Sequence, residues 1–141
     1  MRNEVFLDTS FAIALASERD HYHQEALQLA AELQRSPTRL LTTRAIQLEI
    51  GNALSRQRFR PASIQLLTSL EADPNVEIVS LSEDLYRQAF RLYRQRQDKE
   101  WGLVDCLSFV VMVERDVKAA LTSDVHFQQT GFQVLLKKAG A

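Results

Sequence analysis

Cysteine, proline and glycine are all scarce in this chain of 141 residues, which has one, three and four of them. The lone Cys106 excludes an intrachain disulfide framework and a multi-cysteine zinc site. So little glycine and proline excludes a collagen-like or linker-rich chain. Long apolar runs are missing too. The most apolar segment, Leu107–Val113, falls far short of the ~20 residues that cross a bilayer, so no membrane association is expected. The opening residues, MRNEVFLDTS, lack the apolar core of a secretory signal. With no disulfides to depend on, the expected location is the reducing cytoplasm. Net charge is nearly absent at −1, so bulk charge advertises neither nucleic acid nor a membrane surface.

What is present is ordinary globular material. Hydrophobic residues make up 45% and charged residues 25%, enough for one core. At ~150 residues per domain, the chain reads as a single domain over residues 1–141. The near-zero charge hides a block pattern. Between residues 35 and 60, Arg35, Arg39, Arg44, Arg56, Arg58 and Arg60 face Glu49 alone. Between 83 and 99, Arg87, Arg91, Arg94, Arg96 and Lys99 outnumber Glu83, Asp84 and Asp98. The segments 1–34, 61–82 and 100–124 are net acidic. Such blocks can build a polarised surface, or simply solvated helix faces.

Along the chain, strand and helix alternate. Glu4–Leu7 reads as a strand, stopped by Asp8-Thr9-Ser10, and Phe11–Ala16 as a short helix. Asp20–Arg35 carries Ala26, Leu27, Ala30 and Leu33 at helical spacing. Arg39–Leu41 is a strand, Thr42-Thr43 a cap, and Arg44–Arg56 a helix with Ile46, Ile50, Ala53 and Leu54 on one face. Pro61 begins another helix. Val76–Val79 is a strand, and Ser82 caps a helix to about Gln97. Leu103–Glu114 is nearly all apolar, hence a buried helix. Ala119–Leu121 is a strand, followed by a short helix near His126 and a last strand, Phe132–Leu136. This alternation predicts an α/β fold: a parallel sheet with helices on both faces, its chemistry at the carboxyl ends of the strands.

Four acids fall where that geometry places a site. Asp8 ends the first strand and Asp124 follows the Ala119–Leu121 strand. Asp105 lies in the first turn of the buried helix, and Glu49 flanks the apolar face of its own helix. A carboxylate in Glu49's position is costly unless something cationic meets it. Each acid has a bland reading. Asp8 and Asp124 could be helix caps, Asp105 could complement a helix dipole, and Glu49 could pair with an arginine. Taken together, four converging acids repel one another. A hard divalent cation such as Mg²⁺ or Mn²⁺ resolves that conflict, and one or two such ions in an acidic pocket suit phosphodiester hydrolysis.

The residues around these acids carry a resemblance. Val5-Phe6-Leu7-Asp8-Thr9-Ser10, Leu48-Glu49-Ile50-Gly51-Asn52-Ala53-Leu54, Asp98–Cys106, and Leu121-Thr122-Ser123-Asp124-Val125-His126-Phe127 with Gly131-Phe132 stand in order at plausible spacing. Together they resemble the PIN-domain nucleases, specifically the VapC-type toxins of prokaryotic toxin–antitoxin modules. The resemblance implies a five-stranded parallel sheet and a divalent-metal-dependent endoribonuclease. It makes Asp8, Glu49, Asp105 and Asp124 the catalytic and metal-site acids. Thr9 or Ser10, with Thr122, would orient carboxylates or bound water, and Asp98 would lie at the pocket rim. It further implies an RNA substrate, a cognate antitoxin that blocks the pocket, and a homodimer. The family often has Ser three residues before the third acid, where this chain has Gly102.

Arg87, Arg91 and Arg94 recur at helical spacing and form a basic stripe, either solvated or touching an RNA backbone. His21 and His23 point to different helix faces and read as surface residues. His126 reads as a capping or packing residue, with contact to a substrate phosphate as its functional alternative. Cys106 reads as a buried structural thiol. Three rival functions remain. A Mg²⁺-binding regulatory domain of receiver type wants an acid pair after the first strand and a late lysine, both missing here. A haloacid-dehalogenase phosphatase needs Asp-x-Asp where this chain has Asp8-Thr9-Ser10. A stand-alone RNA-processing PIN nuclease would lack the antitoxin.

Overall fold

A computed structural model describes residues 3–138. Five parallel strands form one sheet in the order β3-β2-β1-β4-β5. They are β1 (Glu4–Leu7), β2 (Arg39–Thr43), β3 (Val76–Val79), β4 (Ala119–Leu121) and β5 (Gln133–Val134). Seven helices connect them: α1 (Thr9–Ala16), α2 (His23–Gln34), α3 (Arg44–Ala53), α4 (Arg60–Ala72), α5 (Glu83–Gln95), α6 (Leu103–Glu114) and α7 (Val125–Gln129). In the central strand, consecutive Val5, Phe6 and Leu7 are all buried. Side chains alternate across a strand, so both faces of the sheet are covered, as the alternating pattern predicts.

Local departures from the sequence reading have local causes. Helix α1 begins at Thr9 rather than Phe11, because Asp8 occupies the cap position with extended backbone. Thr9 and Ser10 therefore lie in the first helical turn. Helix α2 starts at His23 rather than Asp20. The Asp20 carboxylate accepts the Tyr22 amide at 2.9 Å and makes a turn instead. Strand β2 runs on to Thr43, because Thr42 and Thr43 pair with Ile78 and Val79. Thr43 also caps α3, its side chain accepting the Ile46 amide. Helix α3 stops at Ala53 and α5 at Gln95, each a little short of expectation. The last strand is only Gln133–Val134, although Leu135 and Leu136 still donate backbone bonds to Ala120 and Thr122. Gly131 turns the chain from α7 into β5 at φ +90°, a conformation that L side chains rarely adopt.

An aromatic cluster locks the elements that carry the acids. Phe127 of α7 is fully buried, with Phe6 at 6.3 Å and Phe109 of α6 edge-on at 5.0 Å. Trp101 packs edge-on to Phe109 at 5.1 Å, and its indole N–H donates to Gln129 at 2.7 Å. The start of α6 is thus tied to α7. Burying these rings, at roughly 1.5–3 kcal/mol each, fixes Asp105 relative to Asp124.

Candidate active site

The site is built at the carboxyl edge of the sheet. Asp8 follows β1, the strand in the middle of the sheet, and is 6% exposed. Its Oδ2 accepts the Thr122 hydroxyl at 2.7 Å and the Ser10 hydroxyl at 3.1 Å. Those two hydroxyls lie 3.0 Å apart, so β1 and β4 are joined by a small polar network. Thr122 also accepts the Asp124 amide at 3.0 Å, and Ser10 the Ser123 amide at 3.2 Å. Burial pushes the Asp8 carboxyl up from 3.8 to about 6. The bonds from Thr122, Thr9 and Ser10 oppose that rise, and the nearby Asp105 charge adds to it.

Asp105 and Asp124 meet around His126. The His126 Nδ1–H donates to Asp105 Oδ2 at 3.0 Å, and Asp124 Oδ1 lies 3.4 Å from the same nitrogen. The Asp124 carboxylate accepts the His126 amide at 2.9 Å and so caps α7. Asp105 accepts the Gly102 amide at 3.0 Å. One ligand atom from each of Asp105, Asp124 and His126 can be chosen so that all three lie within 4.8 Å of one another. Two carboxylates and one imidazole at that spacing can hold a divalent cation; the carboxylates suit Mg²⁺ or Mn²⁺.

Glu49 is joined differently. Its Oε1 accepts the Thr9 hydroxyl at 2.7 Å, one residue along from Asp8. Among the described residues no arginine or lysine pairs with it, so the bland reading of a Glu49–arginine pair is not seen; a hydroxyl from α1 meets it instead. The hydroxyls of Thr9, Ser10 and Thr122 thus each bond a carboxylate. Asp98 is exposed and held by two of the Arg96 nitrogens, Nε and Nη2, each at 2.9 Å, which lowers its carboxyl to about 2. Among the described residues it bonds to none of the four acids. The residue that sequence reasoning undervalued is His126. No spacing rule links it to Asp105, 21 positions earlier; only the packing of α7 on α6 brings the two together.

Gly102 stands where the family that the sequence resembles often has serine. Its backbone has φ −74°, and a Cβ there would sit 3.8 Å from Asp105 Oδ2, an ordinary contact. The amide alone thus does the capping, with room left for a side chain. Cys106 is fully buried and its thiol is pushed up to about 11 by burial, in keeping with a structural role. His23 is less superficial than expected, its ring nitrogen 2.7 Å from the Ala14 carbonyl oxygen.

The sequence profile of the PIN domain family matches residues 5–133. The chain belongs to the PIN domain family. The 23S rRNA-specific endonuclease VapC20 of Mycobacterium tuberculosis is 27% identical to this PIN domain over 128 residues, covering 91% of this chain and 95% of the relative. The crystal structure of M. tuberculosis VapC20, described as a sarcin-ricin loop cleaving toxin, superposes with a TM-score of 0.80 at 26% identity, over 91% and 95% of the two chains. VapBC2 from Rickettsia felis, solved with a DNA fragment from its promoter, shares the fold, with a TM-score of 0.60 at 13% identity over 93% and 96%.

Proposed function

We propose that this PIN domain is an endoribonuclease that hydrolyses RNA phosphodiesters with Asp8, Glu49, Asp105 and Asp124, and that it acts as the toxin of a toxin–antitoxin pair. The observation that carries the reading is a contrast in partners. Exposed acids such as Glu71, Glu83 and Asp98 pair with Arg44, Arg87 and Arg96. Among the described residues, the four site acids form no ion pair with Arg or Lys, and their partners are hydroxyls, amides and His126. Negative charge gathered at a strand edge without a resident side-chain cation leaves room for a metal. The names of the VapC20 relatives support RNA as the substrate.

Asp105 and Asp124, with Asp8 beside them, would hold a divalent cation, Mg²⁺ or Mn²⁺. When bound, such an ion stabilises charge on the reacting phosphate and lowers the pKa of water. The protein's own part is positioning. Thr122 and Ser10 fix Asp8, Thr9 fixes Glu49, and the Gly102 amide fixes Asp105. His126 bridges Asp105 and Asp124, and so holds two acids from different elements at one spacing. Arg87, Arg91 and Arg94 on α5 supply positive charge for an RNA backbone.

The test is incubation of purified protein with total RNA, with chelator, Mg²⁺ or Mn²⁺, followed by mapping of the cut ends. Discrete metal-dependent cuts are expected; intact RNA in both metals overturns the reading. The partner proposals, an antitoxin and a second copy of this chain, rest on the family resemblance. Growth arrest on expression alone, relieved by a neighbouring small reading frame, supports the toxin. Harmless expression of an RNA-cleaving protein favours a stand-alone nuclease. Sedimentation reads the dimer directly.

A further inference from the structure

The face of α5 carries more than arginines. Tyr86, Phe90 and Tyr93 are 46%, 39% and 46% exposed, unusual for three large aromatics on one helix. Their rings form a ladder. Tyr86 and Phe90 lie 6.2 Å apart with planes 4° from parallel, and Phe90 and Tyr93 lie 6.4 Å apart at 21°. Arg87, Arg91 and Arg94 alternate with them. The Arg94 guanidinium lies 5.7 Å from the Phe90 ring centre, and Arg87 is paired with Glu83 at 3.0 Å. Tyr86, Phe90 and the three arginines line a groove of about 480 Å³ that extends to Gln97. Gln97 also lines a second groove, of about 470 Å³, that reaches Tyr93, Trp101 and Gly102. The Gly102 amide in turn bonds Asp105. The two grooves thus share Gln97, and the second ends at Gly102, next to the Asp105 side of the candidate active site.

We propose that Tyr86, Phe90 and Tyr93 form a stacking platform for bases of single-stranded RNA flanking the cleaved bond, with Arg87, Arg91 and Arg94 holding the backbone. The proposal deepens the ribonuclease reading and rests on it for the direction of the strand toward Asp105. Exposed ring faces interleaved with guanidinium groups match unstacked bases joined by phosphates: each base offers an apolar face, and each link a negative charge. A paired helix hides its base faces and would leave the rings unused. A folded protein partner would use the rings without needing three cations beside them.

Binding is measured in chelator by fluorescence anisotropy, against a labelled single-stranded RNA dodecamer and an abasic ribose-phosphate strand of equal length. The triple variant Y86A/F90A/Y93A is expected to bind the RNA at least ~10-fold more weakly, since each stacked base contributes ~1–3 kcal/mol. Its affinity for the abasic strand and its salt dependence should stay within experimental scatter. Y86F/F90Y/Y93F, which keeps the rings, should bind RNA like the unmodified protein. R87Q/R91Q/R94Q should weaken both strands alike and lower the salt slope by ~0.7 per lost phosphate contact. Unchanged RNA affinity in the alanine variant overturns the proposal. So does an equal loss on both strands, a failure of unmodified protein to bind RNA, or a change of sedimenting mass with RNA affinity intact. The last result would make the face a protein contact. Cleavage is scored separately in Mg²⁺ and Mn²⁺. A base-dependent platform on a protein that cuts nothing would sink the nuclease reading and leave this one standing.

Discussion

Asp8 and Asp98 are the same residue type in opposite circumstances. Asp8 is buried behind β1, bonded only to uncharged groups, and lifted to about 6. Asp98 is exposed, gripped by Arg96 at two points, and lowered to about 2. An isolated domain selected only for stability would pair or remove the first carboxylate, because a buried charge without a counter-ion is costly. The chain has cations to spare, and it spends them on exposed acids such as Asp98. Asp8, Asp105 and Asp124 lie together instead at the edge of the sheet, held by hydroxyls, amides and His126. That distribution marks the edge as a place built to bind, and the Asp98 pair as surface chemistry.

The sharpest break of this comparison is catalytic. Asp8→Asn keeps the shape and an acceptor for Thr122 but removes the charge. RNA cleavage should fall at least ~1,000-fold, the scale of losing several kcal/mol of charge stabilisation around a phosphate. Circular dichroism should show an intact fold. A folded Asp8→Asn protein that cuts RNA at the unmodified rate would place the chemistry elsewhere.

Next in size is stability against pH in chelator. A rise from 3.8 to about 6 corresponds to on the order of 3 kcal/mol against the ionised native state. The sign follows from proton binding. Between the two values, folded Asp8 keeps a proton that the unfolded chain has released, so stability falls as pH rises through that window. Below it both states are protonated and the cost is absent; above it the cost is complete. Asp8→Asn should therefore melt near the unmodified protein at pH 3.5, pull ahead between pH 4 and 6, and hold a constant lead above pH 7. A lead independent of pH would show that burial of the charge is not the cause. Adding Mg²⁺ or Mn²⁺ at 100 times its Kd should stabilise the unmodified protein by ~2.7 kcal/mol and the Asn variant less. Asp105 is a poorer probe, because it also caps α6 through the Gly102 amide, and its neutralisation mixes two effects.

These contrasts also show what the sequence made legible. The strand-helix alternation was readable because parallel strands buried on both faces leave short apolar runs, as in Val5-Phe6-Leu7. Asp8 and Asp124 were readable because a strand end fixes where its next residue goes. Thr122 and Ser10 were readable only through the family resemblance. The union of Asp105 with His126 was not readable from spacing. It depends on Trp101, Phe109 and Phe127 packing α7 onto α6, a tertiary event with no local signature. Nor was the partner of Glu49. An acid on the flank of an apolar face calls for a cation in isolation, yet the start of α1 at Thr9 puts a hydroxyl there first. The aromatic ladder on α5 was hidden in the same way. Tyr86, Phe90 and Tyr93 are left outside only because α5 docks with Leu85 and Ala89 inward.

The smallest expected effect belongs to Asp98. Asp98→Asn breaks its bidentate link with Arg96 and frees that guanidinium, which already lies 5.1 Å from the Trp101 ring centre. Among the described residues Asp98 bonds to none of the four acids, so metal-dependent cleavage should stay within about twofold of the unmodified rate. Arg96 loses its counter-charge on the groove that leads to Gly102, so affinity for RNA should rise slightly at low salt and return to the unmodified value at high salt, where screening shortens the reach of the extra charge. The informative measurement pairs a cleavage rate with an anisotropy titration at two salt concentrations. If Asp98→Asn abolishes cleavage while RNA still binds, Asp98 acts at the rim of the reaction site. The line drawn between the two aspartates would then be wrong, and the paired acid would have to be counted with the unpaired ones.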